Sequence, residues 1–436
     1  MGRAPAQPLL DAPSVPARRQ LRLHRRPRWD ARERRPRHAG RSDPPSARAA
    51  GGVAARPDQR GAHARRRRGR PGVEQRTPDG GDRGGHNHLR TGAGDRVVPR
   101  RAQRDRGGSG RRRVSHGAQH ARDPREAALE RHVTPQTLPD DFAEFWRDTL
   151  AEARDLSWDP VVTPVETPLR TIDVFDVTFA GFGGEPIHAW LRLPAHRTGP
   201  LPAVIHFTGY GAGRGRAIDD LTWASAGYAH LVMDTRGQGD GTTPDGPFGD
   251  DTGYLVRGLT DPARTYYRRV FTDAALLVDV ARRLPEVDAG RVALIGNSQG
   301  GAIALAAAYL SEGVLGVLAQ SPFLADIPTA LTLSARYPFQ ELTDLFARDH
   351  ARRDPALATL RYVDVVNFAR LAHTPAWLSC GLNDDIAPAA TAYAVRNAYA
   401  ADVQLTPWPA NGHDAGGSDD RLGALSVLAE LFAPAA

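Results

Sequence analysis

The sequence predicts an α/β protein in which a mostly parallel central sheet is covered by helices on both faces. Short apolar runs at residues 203–207, 229–233 and 292–295 each end in glycine-rich or polar sequence. Segments with helical periodicity fill the gaps between these runs. Continuous apolar strands that alternate with helices are typical of a parallel sheet buried on both sides. Sites in such sheets lie at the carboxyl ends of the strands, where the polar residues fall here.

A second group of elements precedes these strands. Residues 171–179 and 187–193 show alternating polarity and are separated by glycines, which predicts an antiparallel hairpin. Residues 139–154 carry apolar groups at spacings of three and four. This spacing predicts a helix, with Asp140 or Asp141 as its N-cap.

The rest of the predicted fold continues the alternation. Strands are predicted at residues 376–380 and 403–405, and helices at residues 221–226, 270–283, 302–310 and 388–400. Residues 323–364 have helical character without an obvious strand, and we expect them to form an insertion over the site. Residues 239–266 are rich in Gly, Asp and Pro, which predicts a loop near the site or at an interface.

Residues 1–131 differ sharply from the rest of the chain. They contain 34 Arg and 13 acidic residues, a balance of +21, whereas the remaining residues have a balance of −14. Trp29 is their only aromatic residue. So little apolar surface cannot offset the entropy of ordering, and we predict that this segment is disordered. Residues 132–436 are enough for one large hydrophobic core and are predicted to form a single domain.

Three interpretations of the basic segment stay open. It could be an arm that binds nucleic acid through its phosphates. It could be a transit-like segment, although it is long and poor in Ser. It could have no biological role, because Arg, Gly, Pro and Ala are what a GC-rich coding region yields upstream of the true start or in another frame. The composition favours this last interpretation, so nucleic acid is not an expected partner.

Composition also disfavours several classes of protein. The lone Cys380 cannot form an intrachain disulfide, so no oxidising compartment is implied. No group of Cys and His has the spacing of a zinc site, and no apolar run is long enough to cross a membrane. The first twenty residues lack the apolar core of a secretory signal. We therefore expect a cytoplasmic protein without a metal.

The strongest candidate for a nucleophile is Ser298. It is the centre of Gly296-Asn297-Ser298-Gln299-Gly300, which lies between an apolar strand and an Ala-rich helix. A G-x-S-x-G pattern in this context is typical of the nucleophile elbow of α/β-hydrolases. The serine then projects at a helix N-terminus, where free N–H groups favour developing negative charge. The sequence therefore predicts a serine hydrolase with the α/β-hydrolase fold.

A serine hydroxyl needs a base, and this fold orders its triad as Ser, then acid, then His. His413 follows the last predicted strand and is the preferred base, whereas the rival His373 precedes the candidate acids. Asp384 and Asp385 both follow the strand at residues 376–380. An acid there would orient the imidazole and stabilise its charged form. Asp384 is preferred, and Asp385 is the alternative.

An oxyanion requires two preorganised N–H donors. The residue after the nucleophile, Gln299, is expected to supply one of them through its backbone. The loop after the strand at residues 203–207 should supply the other, and we assign it to the backbone N–H of Tyr210. Plain core packing is the alternative role for Tyr210.

Further motifs extend from about residue 135 to the C-terminus. The most specific are Arg236-Gly237-Gln238-Gly239 and Ser298-Gln299-Gly300-Gly301. Others are Asp141-Phe142, Phe145-Trp146, Phe175 to Phe179, Gly209-Tyr210, Thr265 to Ala274, Gly381-Leu382 with Asp384, and Asn411 with His413. Together they resemble the acetyl xylan esterase and cephalosporin C deacetylase family, which is carbohydrate esterase family seven.

The resemblance implies an esterase that removes acetyl groups from acetylated xylo-oligosaccharides or other small sugars, and from cephalosporin C, through an acetyl-enzyme. It implies a homo-oligomer, typically a hexamer, without metal or organic cofactor, in which Arg236 and Gln238 support the site. The chain departs from the family pattern at Asn297, at Asp414 and at Ala389-Ala390. These departures bear on substrate preference and assembly. A peptidase or broad carboxylesterase is the alternative, since fold does not fix substrate.

Overall fold

One nine-stranded sheet organises the part of the chain that this computed structural model describes, residues 123–239 and 253–434. Its strands are β1 (Val161–Val165), β2 (Ile172–Ala180), β3 (Pro186–Pro194), β4 (Leu201–Phe207), β5 (Ala229–Met233), β6 (Val287–Asn297), β7 (Gly316–Gln320), β8 (Ala376–Gly381) and β9 (Val403–Trp408). Their order across the sheet is β1-β2-β3-β5-β4-β6-β7-β8-β9.

The direction of the strands divides the sheet into two parts. β1, β2, β3 and β5 pair antiparallel in that order. From β5 through β4, β6, β7 and β8 to β9 all neighbours are parallel. This arrangement confirms the predicted α/β-hydrolase fold, and the hairpin of β2 and β3 is the predicted antiparallel pair.

Two strands, β1 and β7, were not predicted from the sequence, for different reasons. β1 lies at the edge of the sheet, is largely exposed and contains Pro164, which removes a backbone donor. β7 is buried but only five residues long, and its apolar sequence reads equally well as a continuation of the preceding helix.

Helices cover both faces of the sheet. They are α1 (Glu126–Leu129), α2 (Phe142–Asp155), α3 (Thr222–Ser225), α4 (Tyr266–Arg283), α5 (Gln299–Leu310), α6 (Ile327–Leu333), α7 (Gln340–Arg348), α8 (Arg353–Leu360), α9 (Val365–Ala369), α10 (Ala389–Ala398) and α11 (Ser418–Leu431). α2, α4 and α5 share the main core with inward residues such as Ile205 and Leu231. α3 and α11 cover the opposite face, over Val204 and Ile295. Within the described ranges no helix is both long and apolar enough to cross a membrane.

The predicted amphipathic helix is α2, which buries Phe142 and Trp146 against the rings of Phe271 and Phe368. Asp141 occupies the N-cap position, but its carboxylate does not cap the helix. It accepts a hydrogen bond from the hydroxyl of Tyr362 instead. The predicted capping role of an aspartate is therefore replaced here by a tertiary contact.

The segment predicted as an insertion forms α6, α7 and α8, which lie between β7 and β8. The glycine-rich excursion is described only from residue 253, so residues 240–252 lie outside the described residues.

The boundary predicted at residue 131 is too late. The prediction of a disordered segment concerns residues 1–131, of which residues 1–122 lie outside the described ones. Residues 126–129 form α1, and the Arg125 guanidinium donates a 2.9 Å hydrogen bond to Asn383 Oδ1. Leu129 packs beside the buried Cys380 and Tyr393. The basic composition hid these contacts, because each depends on residues more than 250 positions away.

Candidate active site

Ser298 lies in the turn between β6 and α5, with φ 58° and ψ −121°. A non-glycine residue with positive φ is strained by about 1–3 kcal/mol and persists only where its surroundings enforce it. The Ser298 N–H donates to the Gln320 carbonyl at 2.9 Å. A Cβ on Gly296 would collide with Gly300, and one on Gly300 would collide with the Phe207 carbonyl. The glycines therefore permit the tight elbow that the pentapeptide predicts.

The structure brings Ser298, His413 and Asp384 into one hydrogen-bonded chain. His413 Nε2 lies 2.9 Å from Ser298 Oγ, and His413 Nδ1 lies 2.8 Å from Asp384 Oδ2. The side chain of Asp384 is fully buried, whereas that of His413 is about a quarter exposed. The geometry is that of a nucleophile whose base is oriented by a third group.

Backbone donors fix the carboxylate of Asp384. Its Oδ1 accepts hydrogen bonds from the N–H groups of Ile386 and Ala387, both at 2.9 Å. This leaves Oδ2 for His413 Nδ1. The loop after β8 therefore holds the carboxylate of Asp384 in a fixed orientation at the imidazole.

The alternatives to these residues lie elsewhere. Asp385 is exposed and its carboxylate lies 3.5 Å from the Arg336 guanidinium rather than near the triad. His373 precedes β8, at the amino end of that strand, and its ring packs near Tyr309. Of the two neighbouring aspartates, the structure therefore brings the preferred Asp384, and not Asp385, into contact with His413.

The loop that carries His413 packs directly against the end of β8. A Cβ on Gly381 would collide with the backbone of Asn411 and Gly412, so glycine allows this close approach. The N–H of Asn383 donates to the Asn411 carbonyl at 3.0 Å. The acid loop and the histidine loop therefore position each other.

The predicted oxyanion loop follows β4 and is held by two buried glutamines. Gln238 Oε1 accepts a 2.6 Å hydrogen bond from the Gly211 N–H, and Gln299 Nε2 donates to the Gly209 carbonyl at 3.3 Å. Both ends of the loop that carries Tyr210 are therefore fixed. Gln299 is the first residue of α5, so its own N–H has no acceptor within the helix.

The two glutamines belong to a fully paired group that we call the amide cluster: Gln238, Gln299, Tyr266 and Tyr267. Each amide donates to the other, at 2.8 and 3.1 Å. Gln238 also donates to the Tyr266 hydroxyl at 2.8 Å, and Gln299 accepts from the Tyr267 hydroxyl at 3.0 Å. All four residues are buried. Complete pairing makes this arrangement rigid, because any change of rotamer leaves a buried polar atom unsatisfied.

The side chain of Tyr210 anchors the same loop from above. Its hydroxyl donates to Glu341 Oε1 on α7 and accepts a 2.8 Å hydrogen bond from the Tyr254 N–H. Burial raises the pKa of the Tyr210 hydroxyl far above its ordinary value, and Tyr267 and Glu341 add to the effect. The hydroxyl therefore stays neutral and structural. The ring of Tyr210 is therefore packed as the alternative role predicts, and the donor role of its backbone N–H stays a prediction.

Glu341 was missed by the sequence analysis. Its second carboxylate oxygen accepts a 2.9 Å hydrogen bond from the Leu255 N–H, and the residue is buried. It thus ties the helical insertion to the oxyanion loop and to residues 254–255. Nothing in the local sequence marks it, because a single glutamate in an amphipathic helix usually faces solvent.

Arg236 is completely buried and makes a two-pronged ion pair with Asp273 of α4, at 2.6 and 2.7 Å, and a further one with Glu185. Burial opposes its charge, but Asp273 and Glu185 outweigh that cost and raise the pKa of Arg236. Its carbonyl accepts a 2.6 Å hydrogen bond from the Tyr266 hydroxyl. These are the contacts of a support that joins the loop after β5 to α4.

The family model for acetyl xylan esterase (AXE1) matches residues 127–425, which include every element from α2 to β9 and all three residues of the hydrogen-bonded chain. The chain belongs to the acetyl xylan esterase family. The family resemblance inferred from the motifs is therefore confirmed.

Relatives and solved structures agree with this membership. Acetyl esterase Axe7A from Xylanibacter ruminicola is 30% identical over 292 residues, and the match covers 63% of each protein. The chain therefore matches less than two thirds of the length of this curated relative. An acetyl xylan esterase from Paenibacillus sp. R4 is 32% identical with a TM-score of 0.66, over 70% of this chain and 98% of that one. Acetyl Xylan Esterase 1 from Thermoanaerobacterium sp. JW/SL YS485 is 31% identical, with the same TM-score and coverage.

Proposed function

We propose that this member of the acetyl xylan esterase family is a serine esterase that removes acetyl groups from acetylated xylo-oligosaccharides or other small sugars. The observation that carries the proposal is the chain from Ser298 through His413 to the buried Asp384, with contacts of 2.9 and 2.8 Å. The three residues lie at the carboxyl ends of β6, β8 and β9, where sites in such sheets form.

The reaction proceeds in two steps, formation of the acetyl-enzyme and its hydrolysis by water. His413 Nε2 takes the proton of Ser298 Oγ as that oxygen attacks the acetyl carbonyl. The carbon–oxygen bond to the sugar then breaks, and the imidazolium gives its proton to the departing sugar oxygen. Water enters next and loses a proton to the same nitrogen as it attacks the acetyl-enzyme. Acetate leaves, and Ser298 Oγ regains its proton.

Each half passes through a tetrahedral intermediate whose oxygen carries negative charge. The backbone N–H groups of Tyr210 and Gln299 are the proposed donors to that oxygen. The amide cluster keeps the Tyr210 loop in place before the substrate arrives, so little reorganisation is needed when the charge develops. Asp384 orients His413 and stabilises its charged form.

The substrate class rests on the relatives. Their names describe an acetyl esterase and acetyl xylan esterases. This chain shares the fold of the two solved acetyl xylan esterases, with a TM-score of 0.66 to each. Cephalosporin C is a second candidate substrate that only the family resemblance suggests. A homo-oligomer, typically a hexamer, stays a prediction from the same source. A cytoplasmic location also stays a prediction, and the buried thiol of Cys380 is consistent with it.

Substitution within the triad gives the direct test. Ser298→Ala should lower kcat for p-nitrophenyl acetate by a factor on the order of 10⁶. Asp384→Asn should lower it by about 10⁴, because the wrong imidazole tautomer is then favoured. Asp385→Asn and Ser426→Ala are matched controls, since the carboxylate of the first and the hydroxyl of the second contact no triad residue. Unchanged turnover by purified, folded Ser298→Ala protein would contradict the proposal.

A substrate series separates the esterase from its alternatives. Acetyl, butyryl and longer p-nitrophenyl esters, acetylated xylo-oligosaccharides, cephalosporin C and a peptide anilide would be compared by kcat/KM. We expect acetyl esters to be preferred over longer acyl chains and the peptide to be inert. Efficient cleavage of the peptide, or no preference for acetyl, would replace the proposal with the peptidase or broad carboxylesterase.

A further inference from the structure

Three side chains of types that can bind a metal ion converge under α3, on the face of the sheet opposite α4 and α5. His206 lies on β4, His230 on β5, and Asp220 precedes α3. One ligand atom from each lies within 4.8 Å of the other two. We call this group the imidazole cluster. Parallel pairing sets Val204 beside His230, which brings His206 two residues further on and stacks the rings with centroids 5.8 Å apart.

The imidazole cluster contains polar atoms that the described residues leave unpaired. His230 is completely buried, and neither of its ring nitrogens has a hydrogen-bond partner there. Oδ1 of Asp220 is also without a partner there, and Nδ1 of His206 has only a long contact of 3.4 Å with Asp220 Oδ2. Each unsatisfied buried polar atom costs about 1–3 kcal/mol, so such atoms are rare in native proteins and demand an explanation. Something other than a protein group is needed to complete this cluster.

We propose that His206, Asp220 and His230 form a binding site for a divalent transition-metal ion of the Zn²⁺ class. Neutral imidazole nitrogen and carboxylate oxygen are ligands that Zn²⁺ accepts in proteins. Three protein ligands leave the fourth tetrahedral position to a water molecule. The site lies outside the catalytic machinery and does not depend on the proposed function.

The distances suit a site that closes around an ion. Tetrahedral Zn²⁺ with bonds of about 2.0–2.1 Å separates its ligand atoms by about 3.3 Å. His206 Nδ1 and Asp220 Oδ2 are already 3.4 Å apart. The remaining separations, at most 4.8 Å, can shorten by rotation of the partly exposed side chains of His206 and Asp220, 25% and 26% accessible. The same exposure gives an ion a route from solvent.

Neighbouring groups tune the site. The Trp223 indole N–H donates to Asp220 Oδ2 at 3.2 Å and orients the carboxylate, as outer partners do in metal sites.

Arg192 sets the selectivity. This buried guanidinium donates to the carbonyls of Ala217 and Arg216 and acts electrostatically on His230. Its positive charge balances the single carboxylate of Asp220, so the site has little net attraction for cations. Ions that rely on charge and oxygen ligands, such as Mg²⁺ and Ca²⁺, are disfavoured, whereas those that bond well to imidazole are not.

The test is metal binding by the full-length, untagged chain after treatment with a chelator. ZnCl₂ would be titrated against a competing chromophoric chelator, and Co²⁺ would be added separately to look for the visible absorption of a tetrahedral ion. We expect about tenfold or greater loss of Zn²⁺ affinity in Asp220→Asn and in His206→Gln, together with loss of the Co²⁺ absorption. At Zn²⁺ concentrations about one hundred times Kd, wild-type Tm should rise by several degrees.

His188→Gln is the matched control, because His188 also lies near an aspartate, Asp176 at 3.3 Å, but outside the cluster. It should bind Zn²⁺ as the wild type does, and so should His413→Ala, which removes the catalytic imidazole. The proposal is overturned if wild-type protein shows no specific Zn²⁺ or Co²⁺ binding. It is also overturned if Asp220→Asn and His206→Gln bind as tightly as His188→Gln, since histidines elsewhere in the chain would then hold the metal.

Discussion

The amide cluster and the imidazole cluster lie on opposite faces of the same sheet and differ in how completely their atoms are paired. Every polar side-chain atom of Gln238 and Gln299 has a partner within hydrogen-bonding distance. In the imidazole cluster both ring nitrogens of His230 are unpaired among the described residues. Burial of polar groups is thus compatible with this fold on either face. The difference lies in whether the described residues supply the partners or leave the polar atoms to a bound ion or water.

The largest effect is expected at the charged support of the paired face. Asp273→Asn leaves the buried Arg236 with Glu185 alone and should cost about 3–5 kcal/mol of unfolding free energy, as broken buried ion pairs do. Urea unfolding measures this cost. Asp279→Asn on the same helix removes only a half-exposed pair with Arg154 and should change stability by less than about 1 kcal/mol. Equal losses of unfolding free energy at the two positions would show that the buried ion pair contributes no more to stability than the half-exposed pair does.

A smaller effect is expected from the amide cluster itself. Gln238→Ala removes the acceptor of the Gly211 N–H and should lower kcat about 10- to 100-fold through misplacement of the Tyr210 donor, with little change in KM. Steady-state kinetics on p-nitrophenyl acetate would show this split. Gln404→Ala is the control, because Gln404 is exposed on β9, and it should leave kcat and KM unchanged. A parallel rise in KM with unchanged kcat would assign Gln238 to substrate binding instead.

The smallest effect is expected on the unpaired face. In metal-free protein His230→Leu removes two unsatisfied nitrogens, so the unfolding free energy should change by less than about 1 kcal/mol or increase. Gln299→Leu, in contrast, strands the Tyr267 hydroxyl and the Gln238 amide and should cost about 1–3 kcal/mol. Urea unfolding in the presence of a chelator compares the two. Similar losses would show that ordered water pairs His230 and that the contrast between the faces is not real.

Some residues of the two clusters and of the candidate active site can be predicted from the sequence, and others cannot. Ser298 is recognisable because its strand, turn and helix are contiguous, and His413 because the chain order of the triad is fixed in this fold. Asp384 and Asp385 are adjacent, so only the direction of each side chain separates them. Glu341 and the imidazole cluster depend on contacts between distant segments. His206 and His230 meet through the register of two strands, which no local spacing reveals.

The same limit applies to the secondary structure. Buried strands such as β5 were predicted at the correct residues because every position except His230 is apolar. β1 was missed because an exposed edge strand with a proline has no such pattern. The predicted end of the disordered segment at residue 131 was too late because it was based on charge balance. Charge balance depends only on composition, and it does not show that Arg125 contacts a distant loop.

Arg125 has a practical consequence for producing this protein. Its guanidinium donates to Asn383 Oδ1 and to the carbonyls of Leu382 and Pro409, so one side chain links the loop of Asp384 to the loop of His413. A recombinant version trimmed to the family match at residue 127 would lose this link while keeping all three triad residues. Truncated forms intended for crystallisation or assay should therefore start no later than residue 123, where Asp123 also pairs with Arg125.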